Sequence, residues 1–164
     1  MNILATIPQR IFANVIDSTI LLIFIFPFSL ISLDLPCIFL LYSITVNCSY
    51  YTYFLSSSTQ ATLGQKLLNI HTAKCNNNKI DTQTAFDRTL SEFLCPIIIM
   101  ILTQIVNIAH KSSFIVITAL FAQIVILVMY VYWYSIAIFS QKRQTFHDIL
   151  FDTIVVTGKF TNKK

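Results

Sequence analysis

Four apolar runs, at about 15–33, 35–55, 94–109 and 114–139, leave this chain few ways to fold. A hydrocarbon core ~30 Å thick needs roughly 20 helical residues to cross it, within a range of about 17–25. The first two runs fit, and the fourth is long enough to tilt. The third fits once it extends back through Leu90 and Phe93. Short connectors, Ser32-Leu33-Asp34-Leu35-Pro36 and His110-Lys111-Ser112-Ser113, join the runs in pairs, so each pair is predicted to be an antiparallel hairpin. With 55% hydrophobic and 11% charged residues, much of the chain must face lipid. The fold class expected is all-α: four transmembrane helices in one domain, 1–164, with a small cytoplasmic β element.

The charges orient these spans. Arg10 precedes the first; Lys66, Lys74, Lys79 and Arg88 lie between the second and third. Lys142, Arg143, Lys159, Lys163 and Lys164 follow the fourth, which leaves Lys111 alone on the other side. Basic residues accumulate on the cytoplasmic side of spans, so both termini and the central loop are predicted inside, in a multi-pass protein of the plasma (inner) membrane. The net charge of +4 is not a nucleic-acid signal, because the bases flank apolar runs. The first run is too long for a signal-peptide core and no small-x-small site follows it, so it is expected to stay attached.

Other chemistry is thinly represented. Two glycines, Gly64 and Gly158, build no phosphate loop. Cys37, Cys48, Cys75 and Cys95 have no metal-binding spacing and read as small apolar filler rather than a disulfide framework. No Gly-x-Ser-x-Gly or His-Glu-x-x-His pattern supports catalysis. Neither an enzyme nor a cofactor is expected.

The central segment, 56–93, is too polar to span. Residues 67–74 and 79–84 read as two strands around the turn Cys75-Asn76-Asn77-Asn78. Thr84-Ala85-Phe86-Asp87 has the form of a helix start, and Pro96 is expected to kink that helix. Thr145-Phe146-His147-Asp148 repeats the pattern and opens a short amphipathic C-terminal helix. Residues 154–160 read as a terminal strand able to join the hairpin.

Arg10, Asn14 and Asp17 stand four and then three residues apart, so a helix aligns them as one polar stripe. Asp17 is ~24 Å from Leu33 along the helix, hence only ~6 Å inside the core's edge. It reads first as a structural ion pair or packing hydrogen bond, and second as an ion or proton site. Side-chain direction disfavours an Arg10–Asp17 bridge within one helix. Cross-helix pairs fit better: Arg88 for Asp17 and Asp148 for Arg10, which together form one charge cluster. The alternative is that Arg10 and Arg88 snorkel to headgroups. Asp148 is also placed to cap the final helix, and His147 without a second histidine is weak as a metal ligand. Gln104 and Asn107, with Thr103, Gln123 and the polar residues of the second run, either join helices or line a polar path. Tyr130, Trp133 and Tyr134 suit an interface.

Three landmarks together resemble the RDD family: Arg10-Ile11-Phe12-Ala13-Asn14-Val15-Ile16-Asp17, then Thr62-Leu63-Gly64-Gln65-Lys66-Leu67-Leu68-Asn69-Ile70 with Arg88 beyond it, then Gln144-Thr145-Phe146-His147-Asp148 through Val156. The resemblance covers the whole chain in order and implies a small membrane domain in which Arg10, Asp17 and Asp148 are the residues behind the family's name. Asp152 departs from it, where glycine is common, and so does the turn at 75–78. The family implies transport for some members, so a small transporter or ion exchanger is expected. Four short spans require a homo-oligomer for that role, with a small ion or solute as partner alongside the bilayer. The alternative is a non-catalytic scaffold or partner subunit.

Overall fold

A computed structural model describes residues 3–31, 35–76, 78–109, 113–158 and 160. Lys111 and the connectors at 32–34 and 110–112, Asn77 in the expected turn, and Lys159, Lys163 and Lys164 lie outside the described residues. The elements are α1 (Ile7–Ile31), α2 (Pro36–Ser56), α3 (Leu63–Leu67), β1 (Ile70–Lys74), α4 (Thr82–Ile108), α5 (Ser113–Phe139), α6 (Phe146–Leu150) and β2 (Thr153–Thr157). Helices α1, α4 and α5 are long and apolar enough to cross a membrane. At 21 residues α2 has the length, but Ser43, Thr45, Asn47, Ser49 and Thr52 with three tyrosines near its end make it more polar. Ser43, Thr45 and Asn47 each donate to a carbonyl four residues earlier within α2.

The membrane-spanning helices bury little of themselves. Ile117, Phe121, Ile124 and Val128 on α5 are exposed, as lipid-facing residues are. Buried packing gathers instead at one end, where Leu21, Tyr51, Leu55, Ile80 and Ala85 form one cluster and Ala5, Ala13, Ile70 and Val155 another. The second cluster sits under a two-stranded antiparallel sheet in which Ile70 pairs with Thr157 and Lys74 with Thr153. Residues 3–5 run beside β2: Ala5 N donates to Val155 O at 3.0 Å and Thr157 N to Ile3 O at 2.8 Å. The sheet therefore ties the start of α1 to the end of the chain.

Two local expectations are corrected. The strand at 67–74 is shorter and does not pair with 79–84; its partner is the terminal strand. The segment at 79–84 goes into a helix start because Asp81 caps α4, accepting from Thr84 N at 3.1 Å and Thr84 Oγ1 at 2.7 Å. Aspartate outranks threonine as a cap, so α4 opens two residues before Thr84. Lys74 crosses the turn to Asp81 at 2.6 Å, an exposed pair that holds the turn but adds little stability. The T-x-x-Q of Thr62 and Gln65 builds α3: Gln65 N donates to Thr62 Oγ1, and Thr62 N donates to Gln65 Oε1, each at 3.2 Å. At the C-terminal end α6 is only five residues long. It turns His147 and Asp148 inward and leaves Ile149 and Leu150 exposed.

Candidate functional site

Asp148 is the hub of a buried charge network beside the sheet, with 1% of its side chain exposed. Its Oδ1 accepts from Arg88 Nη2 at 2.7 Å, Arg88 Nε at 3.2 Å and Thr153 Oγ1 at 3.1 Å. Its Oδ2 accepts from Arg10 Nη1 at 2.9 Å and from Thr145 N at 3.3 Å, the latter being the helix-capping bond. Arg88 continues to Glu92 Oε2 at 3.2 Å, one turn along α4, and Tyr134 of α5 donates to Glu92 Oε1 at 3.0 Å. His147 shares a hydrogen bond with Thr145 Oγ1 at 2.8 Å and lies 3.8 Å from Glu92. Burial alone would raise the Asp148 carboxyl, but Arg88 and Arg10 outweigh it and hold it below the usual carboxylate range. Burial, with Arg88 and Arg10 opposing a further charge, pushes the His147 imidazole down, against the pull of Glu92 and Asp148. With His147 neutral, two guanidiniums balance two carboxylates.

Asp17 lies elsewhere. It accepts from Tyr50 Oη at 2.6 Å, Thr62 Oγ1 at 2.6 Å and Gly64 N at 2.8 Å, and it has no salt bridge among the described residues. The expected Arg88–Asp17 pair is thus corrected: Arg88 is committed to Asp148 and Glu92, and Asp17 anchors the start of α3 onto α1 and α2. Gly64 permits this approach, since a Cβ there would run into the Ala13 carbonyl oxygen.

A cavity of about 330 Å³ opens beside the network. Arg10, Asn14, Arg88, Glu92, Tyr134, His147 and Asp148 line it among apolar residues of α1 and α5. Gln104 and Asn107 are not among its walls; they lie ~18 Å or more along α4 from Glu92. Gln123 instead donates to Thr103 Oγ1 at 3.0 Å and links α5 to α4. The sequence does not single out Glu92 or Thr153, and Tyr134, expected at an interface, bonds to Glu92 instead. The signal for Glu92 was its place four residues after Arg88 at the head of an apolar run.

The model of the RDD family matches residues 4–152, from the strand-like N-terminal segment through the turn after α6. The chain belongs to the RDD family. It is a membrane protein of that family, with three candidate spans. No curated protein and no solved structure matches it. The landmarks behind the RDD name occupy two separate sites in this protein: Arg10 and Asp148 share the network, and Asp17 sits in the anchorage of α3. Asp152 adopts φ of 51°, in the left-handed region that glycine, expected there from the resemblance, occupies without strain.

Proposed function

We propose that this RDD protein is a small transporter or ion exchanger that works as a homo-oligomer, with the cavity as its binding site. The observation that carries the reading is a cavity walled by two guanidiniums and two carboxylates among lipid-exposed helices. Ionisable groups at such a place usually serve an ion or solute path. In this reading α2 is the fourth span, the sheet end faces the cytoplasm of the plasma (inner) membrane, and both termini lie on that side, in line with the positive charge there. Four spans are too few for two repeats around a central site, so a second copy completes the path. No catalytic step belongs to this reading.

Glu92 is the residue best placed to exchange partners, because it is the network's outermost carboxylate and faces the cavity. Flux measured in proteoliposomes across a panel of cations and amino acids tests the proposal. Wild type is expected to move at least one of them, and Glu92→Gln to lose that flux in molecules that keep their melting temperature. A folded oligomer silent across the panel would instead favour a non-catalytic scaffold or partner subunit. That second reading draws on Asp17, whose bonds are all internal.

A further inference from the structure

Arg10 uses one nitrogen, Nη1, on Asp148. Its Nε and Nη2 are buried and have no hydrogen-bond partner among the described residues. These two nitrogens form one edge of the guanidinium, whose parallel N–H groups match two oxygens of a phosphate or carboxylate. A buried N–H without an acceptor is costly, so this unpartnered edge, on a residue that lines the cavity, calls for an acceptor such as an oxyanion. Nothing in the ion-exchange reading uses this edge.

The surroundings favour a lipid as the source of that oxyanion. Helix α1 packs on α2 and α3, and α5 on α4 and α6, while α1 and α5 face each other across the cavity without extended contact. The walls beside Arg10 are Ile11 of α1 with Val131 and Ile138 of α5, all more than half exposed. The cavity is thus bordered by the faces that meet acyl chains. Arg143 lies close enough to Arg10 to repel it, which adds positive charge at this end of the bundle. We infer that the gap between α1 and α5 binds an anionic phospholipid, its phosphodiester on the Nε–Nη2 edge of Arg10 and its acyl chains against Ile11, Val131 and Ile138. The lipid then closes the side of the bundle where the charge network would otherwise meet hydrocarbon. This goes beyond the transport reading and does not depend on it.

Lipid retention by the purified full-length chain, read by native mass spectrometry and thermal unfolding in detergent, tests the inference without any flux measurement. The probes are phosphatidylglycerol, phosphatidylcholine and inorganic phosphate. Wild type is expected to retain one phosphatidylglycerol at least tenfold better than phosphatidylcholine and to unfold at higher temperature with it. Arg10→Lys keeps a charge for Asp148 but lacks the fork, and Ala137→Phe fills the buried wall of the cavity without touching a charge. Each is expected to lower retention about tenfold. Equal retention of the two lipids by wild type, or unchanged retention in Arg10→Lys, would overturn the inference, as would stabilisation by inorganic phosphate with no lipid retained. Wild type alone decides the point if a variant does not fold. Lipid binding without flux would leave this inference standing and remove the transport proposal; flux without lipid binding would do the reverse.

Discussion

Asp17 and Asp148 are both buried, both lie at the sheet end of the bundle, and both accept hydrogen bonds on each oxygen, yet they solve the problem of a buried carboxylate in opposite ways. Asp17 is held by neutral donors, two hydroxyls and a backbone N–H. Asp148 is held by two guanidiniums. Neutral donors of fixed geometry satisfy one carboxylate and leave nothing over, which suits a joint that locks α3 against α1 and α2. Guanidiniums bring more donors than one carboxylate can use: the surplus of Arg88 reaches Glu92, and two buried nitrogens of Arg10 are left without a partner among the described residues. Burial alone therefore does not distinguish the two sites; spare hydrogen-bonding capacity beside a cavity does.

The largest expected effect comes from breaking the charged site. Asp148→Asn leaves Arg10 and Arg88 facing each other without their shared counter-charge, and removing one partner of a buried pair costs about 3–5 kcal/mol. The variant is expected to be scarce in the membrane and to melt well below wild type in detergent. Exchanging the charges, Arg10→Asp with Asp148→Arg, is not expected to rescue it, because the new guanidinium would meet Arg88, 2.7 Å from the present carboxylate. Recovery in the exchanged protein would show that Arg10 and Asp148 act as an isolated pair, against the three-way geometry.

The neutral site is expected to break more gently and without touching function. Asp17→Asn keeps one acceptor oxygen for Tyr50 and Gly64 but turns an amide toward Thr62, at a cost of about 1–3 kcal/mol for the mismatched donor. Gly64→Ala drives a Cβ into the Ala13 carbonyl and is expected to cost about as much through overpacking. Molecules of either variant that remain folded should keep wild-type flux. Loss of flux in folded Asp17→Asn would return Asp17 to the ion path and erase the distinction between the two sites.

The same contrast explains what the sequence made legible. Apolar length announced α1, α4 and α5, and the spacing of Arg10 from Asp17 ruled against a bridge between them. Asp148 showed its capping role through Thr145 alone. The partners of Asp17 were hidden because tyrosine, threonine and a glycine N–H carry no charge to match against an acid, so an arginine was the natural but wrong choice. The pairing of β1 with β2 joins residues about 80 apart, and local patterning favoured the nearer segment, which Asp81 had already committed to a helix. The T-x-x-Q start of α3 was readable. A five-residue helix has no apolar period to mark it, so the capping pattern is its one local signal.

The smallest expected effect separates the sites by pH. The His147 imidazole is pushed below its ordinary value near 6.5, chiefly by burial, so the folded protein keeps it neutral where the unfolded chain already binds a proton. Below about pH 6.5 the unfolded state therefore holds the extra proton, and stability falls as pH falls, by at most about 1.4 kcal/mol per pH unit until the folded pKa is passed. Asp148, also depressed, contributes in the same direction, but its share is lost only as pH drops below the ordinary carboxylate value near 4 and on through its lower folded pKa. Between pH 7 and 5 the acid sensitivity of the charged site thus rests on His147. Melting temperatures in detergent are expected to decline over that range in wild type, and less steeply in His147→Gln, whose amide can still bond Thr145. An equal decline in both would place the titrating group elsewhere. A decline that vanishes in Asp17→Asn instead would show that the neutral anchorage, and not the charge network, senses acid.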